Sequence, residues 1–162
     1  MLDCETKSYV LLKVSFHDFD KIGMITVSAK SEYGLSFLAY LALRQARGKP
    51  ISLAEVAESE KISRGYLEEV AGTLKRSGFL KGKKGKGGGY VLARSPKDIK
   101  ISEIIASLEG PISPVKCLAL STGGKGGVKC FKEKTCGTKK VWMSLKNKIE
   151  EHLSEIRLED II

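Results

Sequence analysis

The stretch KKGKGGGYVLAR, residues 83–94, sets four glycines among cations and contains no acidic residue. A backbone this free, surrounded by positive charge, suits phosphate, either of a nucleotide or of a nucleic-acid backbone. A nucleotide loop of the G-x-x-x-x-G-K-[ST] kind opens a helix. Here the glycines run instead into Tyr90-Val91-Leu92, which reads as a short strand, and Phe79-Leu80-Lys81 reads as its partner. The stretch is therefore expected to turn a β-hairpin. Lys81, Lys83, Lys84, Lys86 and Arg94 populate it, and each cation can displace a counterion condensed on DNA. The plainer alternative is a solvated charged turn.

What precedes the hairpin gives it a context. Ser31 is placed to cap a helix reaching about Arg47, with Leu35, Leu38, Leu41 and Ala42 at helical spacing and Gly48 and Pro50 as the stop. Ser52-Leu-Ala-Glu55 has the capping-box pattern and opens a short helix to about Ser59. Glu60-Lys61-Ile62 is a tight turn. Ser63 then caps a second helix with Leu67, Val70, Ala71 and Leu74 on one face, ending at Ser77-Gly78. Two helices about a tight turn make a helix-turn-helix candidate, although a small helical bundle produces the same pattern. Followed at once by a basic hairpin, the order becomes that of a winged helix.

The rest of the chain is less regular. Residues 1–23 show no long period, and either form an extension or precede a start at Met24. Ile101 to Glu109 reads as a helix closed by Gly110-Pro111. Residues 111–138 read as a long loop, of the kind that is usually functional or disordered. From about Lys139 a long helix carries Trp142, Leu145, Ile149, His152 and Ile156 in a 3-4 seam suited to a partner helix, with His152 packed or partly exposed rather than ligating. The expected fold is mainly α with a small β-hairpin wing: an extension (1–23), a winged helix-turn-helix (24–100), a linker helix and cysteine loop (101–138), and a dimerisation helix with a tail (139–162).

Bulk properties agree. The 162 residues are 42% apolar and 29% charged, enough for one domain with a core. The net charge of +9 favours a polyanionic partner. No window reaches the ~18 to 20 apolar residues of a membrane span, and Asp3 and Glu5 stand where a signal peptide is basic. The chain is thus expected to be cytoplasmic, where thiols stay reduced and clustered cysteines are metal or redox groups first. Cys4 lies in the extension, whereas Cys117, Cys130 and Cys136 all fall in the long loop. Their C-x12-C-x5-C spacing lacks the knuckle of a zinc site. It suits an iron–sulfur cluster with one non-cysteine ligand; a redox thiol pair or inert cysteines are the alternatives. No Ser/His/Asp, Cys/His or paired-carboxylate arrangement stands out, so the chain is not expected to be an enzyme.

Taken together, Ser52-LAEVA, Ile62-SRGYLEE, Gly85-KGGGYVLA and Ile101-SEIIASLEGP, followed by three cysteines and a long helix with Trp142, resemble the Rrf-two family of bacterial transcription regulators, which includes IscR-, NsrR- and RirA-type repressors. The resemblance covers about residues 25–162. It implies a winged-helix homodimer on palindromic promoter DNA. Ser52, Ser63, Arg64 and Tyr66 would serve the helix-turn-helix, and Lys83, Lys84, Lys86, Gly87 and Gly88 the wing, which would enter the minor groove. It also implies a regulatory iron–sulfur cluster on Cys117, Cys130 and Cys136.

The sequence departs from the family in three places. Lys84 and Lys86 replace the arginine and proline of the usual Arg-Gly-Pro-Gly-Gly-Gly wing. The gap between the first two cysteines is long. Lys139 stands where the IscR type has its histidine ligand, and a protonated lysine is no ligand. The NsrR-type pattern, an acid before Tyr-Gly contributed by the partner subunit, is met by Glu32-Tyr33-Gly34 and nominates Glu32 as fourth ligand. A first-turn glutamate favoured by the helix dipole is the bland reading of the same residue. Lack of the histidine tilts the cluster toward [4Fe–4S] over [2Fe–2S]. A cluster-free thiol switch through Cys130 and Cys136 is the competing reading.

Overall fold

The computed structural model describes residues 28–44, 49–115, 118 and 135–162. The order is α1 (Ala29–Arg44), α2 (Leu53–Glu60), α3 (Arg64–Arg76), β1 (Leu80–Lys83), β2 (Gly89–Leu92), α4 (Ile101–Glu109) and α5 (Lys139–Glu155), with 3-10 turns at Pro96–Asp98 and Leu158–Ile161. This is the mainly helical, hairpin-bearing fold that the sequence predicts.

Helix α1 begins earlier than expected. Ser28, not Ser31, caps it: the Lys30 N–H donates to Ser28 Oγ at 3.2 Å. Ser31 lies inside the helix, fully buried, and donates its hydroxyl to Glu109 at 2.8 Å. Either serine suits a cap locally; the contact with α4 commits Ser31 to the interior. The described part of α1 ends at Arg44, and the stop signal at Gly48 lies outside the described residues.

The helix-turn-helix follows its local chemistry. Ser52 Oγ accepts from the Glu55 N–H at 3.2 Å, and Ser63 Oγ accepts from the Tyr66 N–H at 3.4 Å, so both helices are capped as the pattern requires. Between them Lys61 takes a left-handed conformation (φ 58°) that ends α2 and redirects the chain. Only half of the expected capping box forms, because the Glu55 carboxylate turns to the Tyr40 hydroxyl (3.3 Å) and Arg44 (3.9 Å).

One apolar cluster joins these elements. Phe37, Leu38 and Leu41 of α1 meet Leu67, Val70 and Leu74 of α3 and Ile104 of α4, all fully buried. Their 3-4 spacing keeps them on one face of each helix. Each such side chain is worth roughly 1.5–3 kcal/mol relative to exposure. Leu158, beyond α5, is also fully buried, because the chain returns to the head: the Ile101 N–H donates to Ile156 O (3.0 Å) and the Leu158 N–H to Ile99 O (2.9 Å).

The hairpin pairs Leu80 with Leu92, Lys81 with Val91, Gly82 with Tyr90 and Lys83 with Gly89. It is fastened to the start of the helix-turn-helix by a reciprocal backbone pair, Ile51 N–H to Tyr90 O (3.0 Å) and Tyr90 N–H to Ile51 O (2.8 Å). This pairing brings the Ile51 carbonyl so close to Gly89 that a Cβ there would lie 2.3 Å from it. Gly89→Ala is therefore expected to destabilise the protein by about 2 kcal/mol or more, as overpacking against fixed backbone does. Unfolding in urea measures it, and a midpoint equal to wild type would refute the constraint.

Candidate nucleic-acid interface

The helix-turn-helix presents two capped helix N-termini. Ser52 is half-buried and Ser63 exposed. Each hydroxyl accepts a backbone N–H and retains its own proton for a phosphate oxygen. Arg64, the first residue of α3, is exposed, and its Nε donates to Glu68 Oε1 at 3.1 Å. Its guanidinium is thus held by an acid one turn along. Tyr66 is half-buried, edge-on to Tyr33 with ring centroids 5.5 Å apart. The tyrosine pair ties the start of α3 to α1, so only part of the Tyr66 ring faces outward.

The wing tip carries free charge. Lys83, Lys84 and Lys86 are exposed, and none has an acidic partner among the described residues. Glycine is needed for the shape of the turn: Gly85 and Gly87 have φ of 99° and 74°, and the Gly88 N–H closes on Gly85 O at 2.9 Å. A side chain at Gly88 would meet the Lys83 carbonyl at 2.3 Å. Gly87 is exposed at the tip and Gly88 half-buried beneath it.

One expected wing cation is spent elsewhere. Arg94 donates to Glu103 at 2.9 Å and lies over the Phe79 ring at 4.8 Å, which fixes the base of the wing to α4. Sequence proximity placed it with the lysines. The pairing with Glu103, nine residues on, removes its charge from that set.

The proposed ligands are only partly visible. Cys117 and Cys130 lie outside the described residues. Cys136 is half-buried just before α5, its Sγ 3.4 Å from Thr138 Oγ1. Glu32 is exposed in the first turn of α1. Among the described residues no three His, Cys, Asp or Glu side chains lie together as a metal site would require.

Sequence reasoning missed Glu109, which links these two regions. It ends α4, ahead of the segment that bears the cysteines, and accepts from the hydroxyls of Ser28 and Ser31 at the start of α1. The Ser28 hydrogen bond holds its carboxyl below the usual carboxylate range; partial burial opposes this, and Ser31 and Lys30 add to it. The signal in the sequence was present, an acid closing one helix and two serines opening another, but nothing local says that the two ends meet.

No side chain of helix α5 is fully buried. Leu153 and Ile156 pack against the core, whereas Trp142, Leu145 and Ile149 remain half-exposed and Met143 is 42% exposed. The expected seam included His152, but the face that packs on the core runs through Leu153 instead. His152, exposed, lies one position round from it. No helix of the described residues is long and apolar enough to cross a membrane.

Capped helix-turn-helix, basic hairpin and supporting α1 and α4 define a winged-helix DNA-binding regulator. The family model described as Rrf2, iron-dependent transcriptional regulator, matches residues 27–162. The chain belongs to the Rrf2 family. It is 33% identical over 135 residues to the HTH-type transcriptional regulator CymR of Bacillus subtilis, covering 83% of this chain and 88% of that one. It is 36% identical over 137 residues to the regulator IscR of Cereibacter sphaeroides, covering 84% and 86%. Among solved structures, CymR (YrzC), the global cysteine regulator of B. subtilis, superposes with a TM-score of 0.68 at 31% identity, covering 85% of this chain and 96% of that one. IscR of T. potens does so with a TM-score of 0.66 at 35% identity, covering 86% of each. These relatives are regulators of transcription, not enzymes.

The wing assignments separate by mutation. Removing Lys84 and Lys86 together (Lys84→Ala, Lys86→Ala) is expected to make the slope of log affinity against log salt less steep by about 1.8 per protomer, at about 0.9 per phosphate contact. Arg94→Ala is expected to lower the unfolding midpoint and leave that slope alone. Equal salt slopes for the double variant and wild type would remove the tip from the interface.

Proposed function

We propose that the protein is a homodimeric repressor of promoter DNA whose affinity is set by an iron–sulfur cluster held by Cys117, Cys130, Cys136 and Glu32. The observation that carries the DNA half is the free cationic wing beside two capped helix N-termini. Ser52, Ser63, Arg64 and Tyr66 sit with the major groove, and Lys83, Lys84, Lys86, Gly87 and Gly88 with the minor groove.

For the cluster half, the donor chemistry of the described residues fits. Cys136 sits three residues before α5 and offers a sulfur donor. Glu32 offers an exposed carboxylate at the opening of another helix. The family description as iron-dependent and the likeness to IscR support this reading. The group would supply a redox- and nitric-oxide-reactive centre, [4Fe–4S] rather than [2Fe–2S], responsive to nitric oxide, oxygen or iron supply. An oxygen ligand would leave one iron more easily lost than three thiolates do.

A second reading has its own support. Relatives of this chain include CymR, whose Staphylococcus aureus form is also solved in an oxidized form. A cluster-free switch through Cys130 and Cys136 would suit that likeness. Anaerobic purification with iron and sulfide counts decides between the two. The cluster reading expects a brown protein that loses its chromophore in Cys130→Ala without unfolding, and a shorter-lived chromophore in air for Glu32→Ala. A chain still colourless after reconstitution with iron and sulfide rejects the cluster in favour of thiol chemistry.

The dimer reading rests on the apolar, half-exposed Trp142, Leu145 and Ile149 of α5, since an apolar helix face that its own chain leaves half-exposed needs a cover. A second copy supplies one, and twofold DNA sites are read by dimers. Leu145→Asp with Ile149→Asp is expected to halve the mass measured by sedimentation equilibrium. A wild-type chain that sediments as a monomer would end this part of the proposal.

A further inference from the structure

Not all cations of the head are free. Arg64 is held by Glu68, Lys30 by Glu69 at 4.0 Å, Arg44 by Glu55 and Arg94 by Glu103. Lys75, in the last turn of α3, is exposed and has no acidic partner among the described residues. It was not among the residues expected to touch DNA. Its side chain reaches across to β1: a Cβ built on Gly82 would lie 3.6 Å from Lys75 Nζ and 3.9 Å from Lys75 Cε. The ammonium is therefore parked over the one position of β1 that has no side chain.

The backbone at that position adds a donor. In an antiparallel pair, facing residues alternate between those that exchange hydrogen bonds and those that do not. Tyr90 uses both its N–H and C=O on Ile51, on the side of β2 away from β1. Its facing residue Gly82 is thus in a pair that exchanges none. The Gly82 N–H points outward along the edge of β1, which is an edge strand of a two-stranded sheet. An ammonium and an outward N–H then flank a bare, exposed glycine, between the reading helix and the wing.

We propose that Lys75 and the Gly82 edge of β1 form a seat for a DNA phosphodiester. A helix in the major groove and a wing in the adjacent minor groove straddle one sugar–phosphate strand, and a cation at the junction of α3 and β1 meets that strand. The two donors suit a phosphate oxygen: one charged and mobile, one fixed by the sheet. The bare Cα of Gly82 lets the phosphate come close to the backbone. The seat contributes position and salt-dependent affinity, not base specificity. It rests on DNA being the partner of this head.

The test is binding of the full-length protein to a mixed-sequence duplex three helical turns long, followed as a function of potassium chloride. Lys75→Ala is expected to make the salt slope less steep by about 0.9 per protomer, and Lys75→Arg to restore it. Lys97→Ala, which removes an exposed lysine from the 3-10 turn after the wing, is expected to keep the wild-type slope. Gly82→Ala, whose new methyl meets nothing nearer than 3.6 Å, is expected to fold normally and bind more weakly. A wild-type slope in Lys75→Ala overturns the seat, as does an equal loss in Lys97→Ala, which would make the effect one of net charge. Wild-type protein with no salt-dependent binding at all would instead reject DNA as the partner.

Discussion

The reciprocal backbone pair between Ile51 and Tyr90 is the constraint on which the reading head depends. It joins the residue just before α2 to the middle of β2, and so fixes the wing relative to the helix-turn-helix. A two-stranded hairpin alone is marginal in water. This one gains a third backbone partner and an apolar footing, with Leu80 and Leu92 buried and Tyr90 edge-on to Phe37 at 6.0 Å. The requirement for glycine at position 89 is the steric consequence of the same pair. So is the outward N–H of Gly82, through the alternation of the ladder.

Charge in the head is sorted by geometry rather than by amount. The net charge of +9 says only that a polyanion is welcome. Tertiary contacts then divide the cations. Arg94 is consumed in holding the wing to α4, and Arg64 is braced by Glu68. Lys83, Lys84 and Lys86 are left at the tip, and Lys75 at the junction of helix and strand. Exposed ion pairs of this kind contribute little stability. Their effect is to decide which positive charges remain available to a ligand.

The same head is tied to the segment that bears the cysteines. Glu109 closes α4, ahead of the segment that bears Cys117, Cys130 and Cys136, and it accepts from Ser28 and Ser31 where α1 begins. Glu32 follows Ser31 directly. Beyond α5 the chain returns to bury Leu158 beside Ile99, so the long helix is anchored to the head at its far end.

Local physics determined much of this from the sequence alone. Serine caps at Ser52 and Ser63, the 3-4 apolar faces of α1, α3 and α4, and a glycine-rich turn between short strands are all nearest-neighbour effects, and each appeared where the pattern placed it. The candidate DNA-binding residues were nominated from the same local patterns. What the tertiary structure decided involves partners distant in sequence. Ser31 is inside α1 because Glu109 meets it from α4. Arg94 is not a free cation because Glu103 faces it. Leu153 rather than His152 lies on the packed face of α5 because the head approaches from that side. Lys75 lies against β1 because the strand folds back beneath it at Gly82. In each case the local pattern allowed more than one outcome, and a contact between distant segments selected one.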